Sequence, residues 1–310
     1  MAITAAMVKE LRETTGVGML DCKKALAETD GDMEKAIEYL REKGLAASAK
    51  KAGRIAAEGM VYTSITDDNK VGVVVEVNSE TDFVAKNEVF REYVDQVAKQ
   101  AIASDAADID AFLAEKWSAD PSVTVAEALS QKIAVIGENL KIRRFEKFVK
   151  TTSGKIVSYI HGGGRIGVLV ELSCDKEADE LEELGKNLAM QIAALSPKFI
   201  AEEDVPQEFI DHEMDILVKQ AQEDPKNANK PANILEKMVT GRLKKELKEF
   251  CLVEQAYVKD GDMTVKQYID SVAKTVGAPI KLARFVRFET GEGLAKKEEN
   301  FAEEVAKAMN

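Results

Sequence analysis

The chain of 310 residues holds two histidines, three cysteines, one tryptophan and six prolines. His161 and His212 cannot build a histidine-rich metal cluster. Cys22, Cys174 and Cys251 are far apart and odd in number, so no disulfide framework or zinc pattern follows, and a reducing compartment is the simpler reading. Long hydrophobic runs are lacking too: the run from Val71 is strand-sized and broken by Glu76, so no membrane span is expected. The start Met1-Ala-Ile-Thr has no basic region leading into an apolar run, which argues against a signal peptide and for a cytoplasmic protein. Basic charge is in deficit, with 43 Lys plus Arg against 55 Asp plus Glu and a formal charge of −12. Such a surface repels phosphate backbones, which favours a protein partner or small ligand over nucleic acid. Neither G-x-S-x-G nor G-x-x-x-x-G-K-[ST] occurs in the sequence, excluding a nucleophile elbow and a P-loop hydrolase.

What is present is a folding composition, 45% hydrophobic and 32% charged, long enough for two or three compact units. Residues 4–43 predict three short helices. Thr4 caps the first, with Val8 and Leu11 on one face, and Thr14-Thr-Gly-Val-Gly18 breaks it. Met19, Cys22 and Leu26 set the second stripe. Asp30-Gly-Asp32 turns and caps before a third stripe of Met33, Ala36, Ile37 and Leu40. Gly44 is expected to stop that helix, leaving Leu45–Gly53 as a linker or frayed end of a unit spanning 1–54.

The remainder repeats. Gly72-Val-Val-Val-Glu-Val77 recurs as Gly167-Val-Leu-Val-Glu-Leu172, offset by 95 residues. Leu140-Lys-Ile-Arg-Arg-Phe-Glu-Lys-Phe148 recurs as Ile280-Lys-Leu-Ala-Arg-Phe-Val-Arg-Phe288, offset by 140. The fold class is therefore α+β, with two related subdomains, 55–150 and 151–290, each a hairpin, helices and a closing strand in an antiparallel sheet. Strands are predicted at 60–66, 71–78, 140–148, 155–161 and 165–172. A helix carries Phe90, Val94, Val97 and Ala101, and others lie near 108–116, 124–136 and 177–194. The extra length of the second half is a helical, coiled-coil hairpin near 206–249. Its first arm aligns Ile210, Met214, Leu217 and Ala221, and Leu235, Met238, Arg242 and Leu243 begin the return. Such a pair buries little surface alone, so it is expected to dock on a second chain, a homodimer through the hairpin being one arrangement. Residues 291–310 form a C-terminal helical module, with Phe301, Val305 and Met309 in register.

Several motifs have ordinary readings. Gly162-Gly-Gly-Arg-Ile-Gly167 fits a dinucleotide fingerprint, but strands flank it on both sides, so its glycines turn a hairpin. His161-Gly-Gly-Gly164 mimics an esterase oxyanion loop without the nucleophile that loop serves. The basic charges of Lys141–Lys150 are read as surface. At Thr81-Asp82-Phe83 a strand meets a helix. Thr81 or Asp82 can cap it, and Phe83 can open the apolar stripe continued by Phe90, or instead act as a wedge into a partner. Spacing alone favours the core.

Two longer stretches, Leu11-Arg-Glu-Thr-Thr-Gly-Val-Gly-Met-Leu-Asp-Cys-Lys-Lys-Ala-Leu26 and Glu76-Val-Asn-Ser-Glu-Thr-Asp-Phe-Val-Ala-Lys86, resemble the two signatures of the elongation factor Ts family. The resemblance continues at Ser158–Gly162, Glu236–Arg242 and Arg287–Gly293. It implies a guanine-nucleotide exchange factor for the GTPase elongation factor Tu, without covalent chemistry, cofactor or metal of its own. It implies that Met19, Leu20 and the helix around Phe301 grip the partner's nucleotide-binding domain. Thr81, Asp82, Phe83 and Val84 would carry the motif presented to the partner's switch region. His161, Met238, Val239 and Gly241 match positions near other contacts. On this resemblance Phe83 is expected to be exposed.

Overall fold

The computed structural model describes residues 3–224, 227 and 230–295. It is a mixed α+β chain with small antiparallel sheets. Three helices open it: α1 (Ala5–Thr15), α2 (Met19–Glu28) and α3 (Met33–Lys51). The Thr4 hydroxyl accepts from the Met7 amide at 3.3 Å, and the Asp32 carboxylate from Lys35 at 3.1 Å, so both expected caps form. Val8, Leu11, Cys22, Ala25, Leu26, Ala36 and Leu40 make their shared core.

Gly44 does not stop α3, which continues to Lys51. Its missing side chain serves a close approach instead. A Cβ there would lie 3.6 Å from Ala134, on a helix of the following unit. The expected linker is thus largely helix, and Arg41 adds an ion pair to Asp120 at 3.3 Å.

The repeat is realised as two three-stranded antiparallel sheets. The first orders β1 (Glu58–Ile65), β2 (Val71–Ser79) and β5 (Lys141–Val149). The second orders β10 (Lys281–Glu289), β7 (Ile166–Ser173) and β6 (Gly154–His161). Between β2 and β5 run α4 (Asp82–Ala85), α5 (Glu88–Ala103), α6 (Ile109–Ala114), β3 (Lys116–Trp117), β4 (Asp120–Thr124) and α7 (Val125–Ile136). Between β7 and β10 run α8 (Glu180–Leu195), α9 (Gln207–Glu223), α10 (Ala232–Phe250), β8 (Ala256–Tyr257), β9 (Asp260–Thr264) and α11 (Val265–Val276). The two-residue strands β3 and β8 escaped the hydrophobic pattern, being too short for any period to register. A buried glutamine holds each in place. Gln100 donates to the Lys116 carbonyl and accepts from Ser118, and Gln191 donates to the Ala256 carbonyl and accepts from Val258.

Helices cover one face of each sheet, and the other faces pack together through equivalent contacts. A Cβ on Gly72 would meet Ile156 at 2.8 Å, and one on Gly167 would meet Val61 at 2.4 Å. Val61 and Ile156 are the same position of the repeat, as are Gly72 and Gly167. Arg144 lies 4.1 Å over the Phe288 ring and Arg284 lies 4.2 Å over Phe148, again exchanged between halves.

This interface corrects the reading of Lys141–Lys150 as surface charge. Glu76 is fully buried and takes the Arg143 guanidinium at 3.0 Å and Arg144 Nε at 2.6 Å. The β2–β5 register shifts between Glu76 and Val77, leaving Arg143 as the extra residue of a bulge beside Arg144. Strict alternation therefore fails there, and both arginines reach one carboxylate. In the second half Ala283 is the extra residue, and among the described residues Glu171 has Arg284 alone, at 2.6 Å.

The arms α9 and α10 share Leu217, Val239, Leu243 and Leu247 as a buried seam. Phe199, Phe209 and Phe250 meet edge to face at its root. The expected helix over 298–309, with Phe301, lies outside the described residues. No described helix is long and apolar enough to cross a membrane.

Candidate functional site

The corner after β2 is built from the polar end of a buried strand. Ser79 is buried and its hydroxyl donates to the Thr81 carbonyl at 2.9 Å. Thr81 caps α4, its Oγ1 accepting from the Val84 amide at 3.3 Å. Val84 is half-buried against the first core, whereas Phe83 is 81% exposed. The helix foreseen from this corner onward is thus two helices. The single turn α4 ends at Ala85 and Asn87 caps α5, so Phe90 lies in the core and Phe83 does not.

Asp82 is exposed and pairs with Lys86 at 2.6 Å. That hydrogen bond, outweighing a small desolvation effect, keeps its carboxyl below the usual aspartate range. The motif therefore divides by role, with Thr81 and Val84 anchoring and Asp82 and Phe83 projecting.

Glu138, unnoticed in the sequence, supports the corner from 57 residues further along the chain. Its Oε2 accepts from the backbone amides of Glu80 at 3.1 Å and Thr81 at 3.0 Å, and its Oε1 accepts from the Thr81 hydroxyl at 2.7 Å. Glu80 returns the contact by accepting from the Asn139 amide at 2.6 Å. The Gly137-Glu138-Asn139 run after an apolar helix reads as an ordinary C-terminal stop, and no local pattern marks the carboxylate.

The other expected residues fall on neighbouring surfaces. Met19 and Leu20, 54% and 84% exposed, head α2 just after Gly18, so Met19 departs from the core stripe expected for it. A Cβ on Gly16 would lie 3.8 Å from Val135, which places this loop against the same end of α7 that precedes Glu138. His161 is exposed and shares a 3.0 Å hydrogen bond with the Tyr159 hydroxyl. The glycines after it all have positive φ and turn the β6–β7 hairpin, as the flanking strands required. Arg91 of α5 donates to the Gly163 carbonyl at 3.1 Å, tying this loop to the helix that follows the corner. On α10 Met238 and Gly241 are exposed, but Val239 is buried in the seam between the arms. Leu235, Val239, Leu243 and Leu247 recur every four residues and face α9, which leaves Met238 outward. Phe301 lies outside the described residues.

An exposed ring on a braced corner, two exposed apolar side chains heading a helix and a two-helix arm are surface features of the kind found where proteins meet partners. Residues 80–292 match the family model described as elongation factor TS. Over 308 residues the chain is 58% identical to elongation factor Ts of Clostridium novyi (strain NT), covering 99% of each chain. It is 56% identical over 307 residues to that of Clostridioides difficile (strain 630), again 99% of each. For Clostridium perfringens (strain SM101 / Type A) the identity is 55% over 305 residues and 98% of each. The chain belongs to the elongation factor Ts family.

Proposed function

We propose that this chain is a guanine-nucleotide exchange factor for elongation factor Tu in the cytoplasm, acting without covalent chemistry or a cofactor of its own. Its working surface is the corner: Phe83 wedges between helices beside the partner's nucleotide site, and Asp82 helps displace the elements supporting the bound Mg²⁺. A GTPase holds its nucleotide through P-loop amides, a lysine and Mg²⁺ bridging phosphate oxygens. Mg²⁺ demands near-ideal octahedral geometry, so a small displacement of its supports weakens phosphate binding sharply. By linkage, the factor weakens nucleotide binding by the factor by which nucleotide weakens its own binding. The final GDP/GTP ratio is left to concentrations.

Met19 and Leu20, with the region around Phe301, grip the nucleotide-binding domain in this reading. His161, Met238 and Gly241 supply further contacts, and Val239 acts from within the arm by setting the face that carries Met238. The division into 1–54, 55–150, 151–290 with the arm near 206–249, and 291–310 is proposed with it, and so is a homodimer through the arm. The observation that carries the reading is the 81% exposure of Phe83 at a fixed corner. An aromatic ring held out in water, in a chain of this family, is best explained by a partner that covers it. Stopped-flow release of a fluorescent GDP from elongation factor Tu tests it. Acceleration is the expected result. Binding without acceleration would leave a scaffold and defeat the proposal.

A further inference from the structure

We propose that Glu138 is the positioning residue of the exchange corner, setting the direction in which Asp82 and Phe83 project. The inference rests on the exchange reading for its consequence and on the geometry for its cause. α4 is one turn of four residues, and a turn that short does not hold itself, because nucleation fixes several dihedrals for a single hydrogen bond. Phe83 has almost no core contact to orient it. What fixes the turn is the Thr81 cap together with the half-buried Val84, and Thr81 itself is held by Ser79 at its carbonyl and by Glu138 at its amide and hydroxyl.

The chain of contacts is determinate. The Glu138 carboxylate can only accept when ionised, so the Thr81 hydroxyl proton points to Oε1, 2.7 Å away. The hydroxyl lone pairs are then free for the Val84 amide at 3.3 Å. Oε2 meanwhile gathers the amides of Glu80 and Thr81, and Glu80 takes the Asn139 amide in return. The two segments thus bind each other in both directions. Because Gly16 packs beside Val135 at the same helix end, α7 also fixes the corner relative to Met19 and Leu20.

The repeat supplies a control inside the molecule. Gly137 and Gly277 are equivalent, both in the left-handed region, and the residue after each is Glu138 in the first half but Ala278 in the second. The second half folds to the same plan without the carboxylate: Lys176, the equivalent of Thr81, ties its corner to the helix end by donating to the Val276 and Gly277 carbonyls at 3.3 and 2.9 Å, and that corner carries the buried Cys174 and no projecting ring. Both halves tie the corner to the helix end. Only the half with the projecting ring does so through a carboxylate that gathers the corner's own amides.

Glu138→Ala and Glu138→Gln are to be made in the full chain, with Phe83→Ala and the double variant Phe83→Ala/Glu138→Ala. Amide hydrogen exchange at Glu80 and Thr81 reads anchoring directly. Fluorescent-GDP release from elongation factor Tu, titrated with each variant, reads the maximal rate separately from the half-saturating concentration. Glu138→Ala is expected to deprotect both amides and lower the maximal rate about tenfold, which corresponds to about 1.4 kcal/mol in the barrier. Half-saturation should shift far less. Gln keeps one carbonyl for the two amides and should restore most of the rate. In the Phe83→Ala background Glu138→Ala should cost clearly less than in the unaltered chain, the remainder acting through Asp82, whereas an independent structural role would give additive losses. Protected amides in Glu138→Ala, or additivity in the double variant, would overturn the assignment. If the unaltered chain does not speed GDP release, the functional reading falls with the role in exchange. Amides that open in the variant would still uphold the anchoring.

Discussion

Replacing Glu76 by alanine removes the carboxylate at the centre of the contact between the two sheets. The side chain is fully buried, and besides Arg143 and Arg144 it accepts from Asn78 Nδ2 at 3.0 Å and the Gly291 amide at 2.8 Å. Alanine takes the buried carboxylate from two guanidinium groups whose side chains are only 19% and 30% exposed and leaves the Gly291 amide without that acceptor, although Arg144 keeps the Glu292 carboxylate at 3.0 Å and Arg143 keeps the Glu292 carbonyl. Removing one member of a buried pair costs about 3–5 kcal/mol, against a typical total stability of about 5–15 kcal/mol. Glu171→Ala is the matched control. It loses a single arginine, Arg284, whose side chain is 42% exposed and whose NH2 keeps the Val149 carbonyl at 3.0 Å. About 1–2 kcal/mol is expected there, the range of one charge-assisted hydrogen bond. Urea unfolding followed by circular dichroism compares the two midpoints at constant m-value. Equal losses, or a Glu76→Ala loss below about 1 kcal/mol, would refute the assignment of Arg143 and Arg144 to a buried network.

Gly44→Ala should be neutral or stabilising by about 0.5–1 kcal/mol, because the helix gains propensity and the new Cβ meets Ala134 at an ordinary 3.6 Å. Gly44→Leu has no such room and should separate α3 from α7, lowering Tm and exposing the connection to limited proteolysis. All three cysteines are buried, and burial together with nearby acidic residues pushes the Cys251 thiol up to about 11. Iodoacetamide at pH 8 should therefore leave Cys251 unlabelled in the native chain and label it in urea, as mass spectrometry of the peptides would report.

The parts legible in the sequence were those whose signal is local or repeated. Thr4 and Asp32 cap as composition dictates. The triple-glycine loop turns a hairpin because strands flank it, and the offsets of 95 and 140 correspond to sheets of matching order. What escaped was decided by tertiary contact. Gly44 looks like a stop until Ala134 is seen beside it. Arg143 looks solvated because alternation hides a bulge that turns it to Glu76. At the candidate site, Phe83 fits the stripe of Phe90 by spacing, and only the break at Lys86-Asn87, where α5 restarts on its own cap, lifts it out of the core. Family resemblance favoured exposure where periodicity did not. Glu138 was out of reach of either, since its partners lie across the fold.

In the proposed mechanism an exposed Phe83 does the work of nucleotide release. Phe83→Ala removes a ring that is 81% exposed, so the stability lost should stay under about 1 kcal/mol and the fold should be unchanged. Stopped-flow release of fluorescent GDP from elongation factor Tu, at saturating amounts of each chain, is the deciding measurement. Release with Phe83→Ala should be at least tenfold slower than with the unaltered chain, with the two chains equally folded by circular dichroism. Release at the same rate would contradict it.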